Sequence, residues 1–281
     1  MKPRALILHA NGINRDLEAA NALEVAGAEP DIVHLNQLRK GDAKWEDYQM
    51  LCLPGGFSYA DALGAGKLMA LELNVYFTDA LKEFVESGKP VIGICNGFQA
   101  LVKSGILPDL AGEKPAPGKA AKTKAKAKAK PAAKPGAGAV RATLTFNESG
   151  RFECRWIHLK PSSHKCIWTR GLEELVYCPV AHGEGRFLLG DPKAVKALEA
   201  KDQLALAYVF DDGSPASGTY PENPNGSLAD IAGICNPAGN VLGLMPHPED
   251  HVAAWQHPQH TRGIQGGSGL ALFCAGVEAS R

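Results

Sequence analysis

No apolar run in the 281-residue sequence approaches the roughly 20 residues that a membrane span requires. The start, Met1-Lys-Pro-Arg4, runs straight into the strand-like Ala5-Leu-Ile-Leu8. It lacks the longer apolar stretch and small-residue cleavage site of a secretory signal, so the expected compartment is the cytoplasm. Paired cysteines are missing too. The seven cysteines, at positions 52, 95, 154, 166, 178, 235 and 274, are odd in number and include no Cys-x-x-Cys motif. That pattern argues against a disulfide framework and for reduced thiols. Six of them read as small buried apolar residues. A phosphate-cradling Gly-x-x-x-x-Gly-Lys-Ser/Thr loop is also absent, so nucleotide chemistry is not expected on this chain.

Net charge is zero, with 30 basic and 30 acidic residues, but the balance hides an uneven distribution. The stretch 114–139 holds eight lysines and no acid, and the rest of the chain carries an equal excess of acid. Twenty-two of its 26 residues are Lys, Ala or Pro. Such a composition buries too little apolar surface to offset the entropy of ordering. The expectation is a disordered surface insertion within one domain spanning 1–281. It has no aromatic residue and no arginine with which to stack on or read bases, so no specific nucleic-acid partner is expected.

The most informative stretch present is Pro90-Val-Ile-Gly-Ile-Cys-Asn-Gly-Phe-Gln-Ala-Leu101. An apolar strand pattern, Val91 to Ile94, stops at Cys95 between two glycines, and a helical pattern begins at Phe98. A thiol at the apex of a strand-turn-helix is the construction that carries nucleophiles on strained elbows. The helix start favours thiolate over thiol. A cysteine nucleophile needs a base, and the base needs an orienter. Downstream, the apolar run Val241-Leu-Gly-Leu-Met245 ends in Pro246-His247-Pro248-Glu249. Residues i and i+2 of an extended segment face one side, so Glu249 can hold the His247 imidazole. A lone cysteine is more often a buried structural residue. Here that reading requires the flanking glycines, the elbow and the His-Pro-Glu string all to be coincidental.

The first half alternates strand and helix. Ala5–His9, Asp31–Leu35, Gln49–Leu53 and Val91–Ile94 read as strands. Arg15–Ala26 and Gly66–Ser87 read as helices, the first with Asn14 as N-cap and Gly27 just past its end. The second half reads mainly as strands, Arg151–Leu159, Leu175–Ala181, Leu204–Phe210, Ile231–Asn236 and Val241–Met245, with a last helix at Gly269–Glu278. The expected fold is α/β: an open, mostly parallel sheet of flavodoxin-like type with helices on both faces. Function in such sheets gathers at the carboxyl ends of the strands, where Cys95 and the loop Pro54-Gly55-Gly56 fall.

Gly93-Ile-Cys95-Asn-Gly97-Phe-Gln99 followed by His247-Pro-Glu249 resembles the Cys-His-Glu triad of the class I glutamine amidotransferases. Longer strings match one branch of that family: Leu53-Pro-Gly-Gly-Phe-Ser-Tyr-Ala-Asp61, Asn147-Glu-Ser-Gly-Arg-Phe152, Pro179-Val-Ala-His-Gly-Glu-Gly-Arg-Phe187, Tyr220-Pro-Glu-Asn-Pro-Asn-Gly-Ser227 and Ile231-Ala-Gly-Ile-Cys-Asn236. The branch comprises the glutaminase subunits of phosphoribosylformylglycinamidine synthases. The resemblance runs from about Arg4 to Glu249 with one interruption. It implies hydrolysis of glutamine through a Cys95 thioester, with His247 and Glu249 completing the triad. It also implies ammonia delivery to a large synthetase subunit, with a small accessory subunit as a further possible partner. ATP and magnesium would belong to the synthetase, and this chain would hold no cofactor.

Further site residues follow. Gly56 and Asn96 are the candidate oxyanion-hole donors, since backbone N–H groups without an obstructing Cβ can converge on a tetrahedral intermediate. Gly55 and Gln99 are expected at the bound glutamine, the latter by resemblance. His182 and Glu184, in His182-Gly-Glu-Gly-Arg186, either line the glutamine pocket or face the partner. His251, His257 and His260 lie close in sequence but lack a cysteine or carboxylate at useful spacing, so no metal site is expected. The chain departs from the family's commonest pattern after Glu249, where acidic Asp250 stands in a place that is often basic. Two rival readings remain: an amidotransferase for another acceptor, and a cysteine-elbow protein outside the amidotransferases.

Overall fold

A computed structural model describes residues 2–108 and 142–281. The insertion expected at 114–139 lies outside the described residues. In chain order the elements are β1 (Arg4–His9), α1 (Asp16–Val25), β2 (Glu29–His34), α2 (Leu35–Lys40), β3 (Met50–Leu53), α3 (Lys67–Tyr76), α4 (Thr78–Glu86), β4 (Val91–Ile94) and α5 (Asn96–Ser104). Then come β5 (Ala142–Thr145), β6 (Glu153–Pro161), β7 (Val176–His182), β8 (Arg186–Leu189), α6 (Val195–Ala200), β9 (Leu204–Val209), β10 (Ile231–Cys235), β11 (Val241–Leu244) and α7 (Leu270–Glu278).

Among the described residues, nine strands form one sheet in the order β2-β1-β3-β4-β11-β10-β9-β6-β7. The pairings from β2 to β11 are parallel, and those from β11 to β7 are antiparallel. The parallel half is the flavodoxin-like core with helices on both faces. The antiparallel half extends it as an arm, and β5 and β8 form a separate two-stranded ribbon. Every residue of β3, β4 and β11 is buried, as strands covered on both faces require. Gly93 and Gly243 are register partners on β4 and β11. A Cβ on Gly93 would come within 2.5 Å of Leu101, and one on Gly243 within 2.1 Å of Phe98. This paired absence of side chains lets α5 lie close against the sheet and sets the depth of Cys95.

Several expected boundaries shift. Ile13 pairs with Gly56 in an isolated bridge, so the chain turns helical only after Arg15, and Arg15 rather than Asn14 occupies the cap position of α1. The single helix expected over Gly66–Ser87 is two, α3 and α4, broken at Phe77 (φ −131°, ψ 14°). Phe77 is buried with its ring 5.7 Å from that of Trp45, and this tertiary contact overrides local helical propensity. Helix α5 starts at Asn96, two residues before the apolar periodicity does. The short α2 follows β2 directly, capped by the His34 ring, which accepts from Asn36 N–H. Six residues are too few for a periodic signal, and α6 and β8 escape the pattern for the same reason.

Candidate active site

Cys95 stands between β4 and α5 with φ 49° and ψ −103°. A non-glycine residue in this region is strained, and the surrounding contacts hold it there. Its N–H donates to the Leu244 carbonyl of β11 at 2.8 Å, and its carbonyl accepts from Gln99 N–H at 3.0 Å. The turn is tight because Gly97 has no side chain: a Cβ there would stand 1.9 Å from the Leu53 carbonyl oxygen. The thiol is buried and lies 3.8 Å from the Ala181 carbonyl oxygen at the end of β7.

His247 leaves β11 with its N–H bonded to the Pro179 carbonyl at 2.8 Å. Its Nδ1 is 2.7 Å from Glu249 Oε1, with side-chain exposures of 3% and 0%. Burial pulls the imidazole pKa down, but the Glu249 carboxylate and then Cys95 outweigh it, and His247 is held well above its ordinary value. The ring therefore favours its imidazolium form.

Gly55 and Gly56 follow β3 and face the same place. A Cβ on Gly55 would lie 2.7 Å from His247 Cε1. Gly56 has φ +136°, and a Cβ there would meet the Asn14 backbone at 2.7 Å. Bonds from Phe57 N–H to Gly12 O (2.9 Å) and from Tyr59 N–H to Asn11 O (2.6 Å) fasten the loop. Tyr59, Ala60 and Asp61 then run through three consecutive left-handed conformations.

Asn96 is fully buried and ties this loop to the elbow helix. Its Oδ1 accepts from Ser58 N–H at 3.2 Å, and its Nδ2 donates to Asp61 Oδ1 (3.0 Å) and Gln99 Oε1 (3.1 Å). Gln99 Nε2 donates to the Glu184 carbonyl at 2.7 Å. The Glu184 carboxylate accepts from Ala65 N–H at 3.4 Å. Gln99 and Glu184 are thus brought together in one wall. Both ends of the Gln99 amide are engaged by the protein itself.

His182 is buried with Nδ1 3.1 Å from Asn147 Oδ1. That oxygen also accepts from Gly185 N–H, while Asn147 Nδ2 donates to the Arg151 and His182 carbonyls. Asn147 therefore fixes His182 as the Nδ1–H tautomer. Burial, and then the charge of His247, push the His182 pKa down to about 3, so the ring is neutral. Gly185 packs on the ring, where a Cβ would come within 2.5 Å.

Among the described residues, the buried side-chain atoms without a hydrogen-bond partner are Ser58 Oγ, His182 Nε2, Gln203 Oε1, His247 Nε2 and Glu249 Oε2. All but the Gln203 oxygen belong to residues of this site. Orphaned buried polar atoms are costly, and their gathering marks a place built for a ligand. Asp250 also joins the group: one ligand-type atom from each of His247, Glu249 and Asp250 lies within 4.8 Å of the others. His251, by contrast, spends both ring nitrogens on the backbone, at Tyr177 O and Gly267 N–H.

Sequence reasoning singled out Cys95, His247, Glu249, Gly55, Gly56, Asn96, Gln99, His182 and Glu184, and the fold assembles them around one strand end. It passed over Asp61 and the tautomer-setting role of Asn147. Asn147 lies 35 residues from His182, a distance over which no local pattern operates.

Residues 2–278 match the family described as the CobB/CobQ-like glutamine amidotransferase domain. The chain is 58% identical over 255 residues to phosphoribosylformylglycinamidine synthase subunit PurQ of Treponema denticola, covering 90% of this chain and 89% of that one. It is 40% identical over 283 residues to the PurQ subunit of Dehalococcoides mccartyi, covering 100% and 98%. Among solved structures, PurLQS from Thermotoga maritima aligns with a TM-score of 0.69 at 31% identity, over 99% of each chain.

Proposed function

The chain belongs to the CobB/CobQ-like glutamine amidotransferase family, and from that premise we propose that it is the glutaminase subunit of a phosphoribosylformylglycinamidine synthase. Its partners are the large synthetase subunit and a small accessory subunit. The observation that carries the reading is the buried His247–Glu249 pair set beside a cysteine on a strained elbow. Family membership sets aside the rival outside the amidotransferases, and the PurQ relatives favour this acceptor over others.

The chemistry follows from the groups in place. The Cys95 thiolate attacks the glutamine carboxamide carbon, and the oxygen takes up the negative charge. Gly56 N–H and Asn96 N–H stabilise it, a contribution of roughly 3–4 kcal/mol for one donor of this kind. The His247 imidazolium gives its proton to the departing nitrogen, the C–N bond breaks, and ammonia leaves a γ-glutamyl thioester. The neutral imidazole then takes a proton from water, whose oxygen attacks the thioester and releases glutamate and the thiolate. Glu249 holds the ring and stabilises its charged form throughout. The neutral His182 has no proton to give from Nε2, which leaves the proton traffic to His247.

The synthetase takes the ammonia and converts formylglycinamide ribonucleotide to formylglycinamidine ribonucleotide with ATP and magnesium, and this chain carries no cofactor. No helix among the described residues is long and apolar enough to cross a membrane, and we place the protein in the cytoplasm. The test is reconstitution with the synthetase. Cys95→Ala is expected to abolish amidine synthesis from glutamine and to spare synthesis from added ammonia. Loss of both, or of neither, contradicts the reading.

A further inference from the structure

The residue that precedes α1 reaches two parts of the site at once. Arg15 N–H donates to the Gly55 carbonyl oxygen at 3.3 Å. A Cβ placed on Gly55 would stand 2.7 Å from His247 Cε1 and 3.5 Å from Arg15 Cγ. Gly55 is therefore packed between the catalytic imidazole and the Arg15 methylenes. The guanidinium divides its charge between two acids. Nη1 bonds Glu18 Oε1 at 2.9 Å, and Nε stands 3.9 Å from Asp250 Oδ2.

Asp250 in turn lies against the triad. Its carboxylate belongs to the group with His247 and Glu249 whose ligand-type atoms fall within 4.8 Å. Two acids this close resist joint ionisation. Burial first, and then Glu249, push the Asp250 pKa up to about 6, against the pull of His247 and Arg15. The groups facing it are Arg15 and Glu18 at the start of α1, His247 and Glu249 of its own turn, and the Cys178 thiol of β7. Helix α7 also packs on this turn, and its one charged residue, Glu278, is at its far end.

We propose that Arg15 and ionised Asp250 form a charge clip that seats the Gly55–Gly56 loop against His247, and that proton uptake by Asp250 opens the clip and slows glutamine hydrolysis. The proposal rests on the glutaminase reading above. Arg15 and Asp250 are positioning residues, since both act through Gly55 and His247. Two properties of the site give the clip its leverage. The loop carries a transition-state donor, so its placement governs kcat more than KM. Gly56 sits at φ +136°, a conformation that suits glycine, so the peptide that carries the donor can turn at low steric cost.

The test follows glutamate release by the full synthetase complex from about pH 5 to about pH 9. It compares wild type, Asp250→Asn, Asp250→Glu, Arg15→Gln and the Arg15→Gln/Asp250→Asn double variant. Wild-type kcat is expected to fall on the acid side through the Asp250 titration. Asp250→Asn should lower kcat roughly fivefold above that limb, the range of a partly exposed ion pair. It should also remove the limb and leave KM unchanged. Asp250→Glu should restore the rate and the limb. Arg15→Gln should lower kcat by a similar factor, and the double variant no further. Asp250→Asn with wild-type kcat and acid limb would overturn the clip, as would losses that multiply in the double variant. If Asp250→Asn fails to fold, Arg15→Gln decides: a similar loss of kcat with KM unchanged supports the clip, and wild-type kcat overturns it. A wild-type complex that releases no glutamate overturns the glutaminase reading instead.

Discussion

Gly97 and Leu53 approach so closely that a Cβ on Gly97 would stand 1.9 Å from the Leu53 carbonyl oxygen. The contact joins the first turn of α5 to the end of β3, so it sets the elbow of Cys95 against the strand that leads to Gly55 and Gly56. Backbone on one side and a buried strand on the other leave nothing flexible to give way.

Gly97→Ala is therefore expected to destabilise the chain by about 3 kcal/mol, the upper range for overpacking. Its glutaminase activity should fall by more than the unfolded fraction explains, because the shift moves Cys95 relative to its donors. Thermal melting and glutamate release on the same preparation check this. A variant that melts and turns over like wild type would show that the elbow tolerates a side chain.

Glu249→Gln should cut kcat by roughly 10²–10⁴-fold, since the amide lacks the charge that stabilises imidazolium and, by donating from its nitrogen, can hold the imidazole in the wrong tautomer. Stability should change with pH in a defined direction. The folded-state pKa of His247 is raised above its ordinary value. Its stabilising contribution is fully present below the unfolded pKa, roughly 6.5, and is lost as pH rises through the folded value. The melting-temperature gap between wild type and Glu249→Gln should therefore be widest at acid and neutral pH and shrink in alkali. A gap that widens in alkali would contradict the sign.

His182 should stay neutral down to a pKa of about 3. Imidazole nitrogen NMR is expected to show one ring with a protonated Nδ1 and a bare Nε2 that does not titrate between about pH 5 and about pH 8, unlike an ordinary histidine. Asn147→Ala should release the tautomer. A His182 signal titrating near the ordinary value would remove Asn147 from its tautomer-setting role.

Replacing residues 114–139 by a short Gly/Ser linker should leave glutamate release within about twofold of wild type, since loop length costs little. None of the site residues named above falls within these numbers. A large loss of melting temperature or activity would make it part of the working structure.

The elbow was legible because Gly93, Cys95 and Gly97 fall within one short stretch where a strand pattern gives way to a helical one. The His247–Glu249 pair was legible for a similar reason, as its two members lie two residues apart. What the sequence concealed depends on groups far apart in the chain. Asn96 binds Asp61 across 35 residues, and Arg15 meets Asp250 from the other end of the chain. The left-handed run Tyr59-Ala60-Asp61 contains no glycine to announce it. The break at Phe77 is set by Trp45, not by a proline or glycine. The antiparallel arm was legible as strands but not as pairings, because period-two patterning identifies a strand without naming its neighbour.

The most direct measurement of the central claim is rapid-quench mass spectrometry of the working complex supplied with glutamine. A transient γ-glutamyl group is expected on the peptide that carries Cys95, formed as ammonia is released and lost as glutamate appears. The Cys95→Ala chain should show no such adduct. Steady glutamate production with no adduct on that peptide, or an adduct on another residue, would contradict Cys95 as the nucleophile.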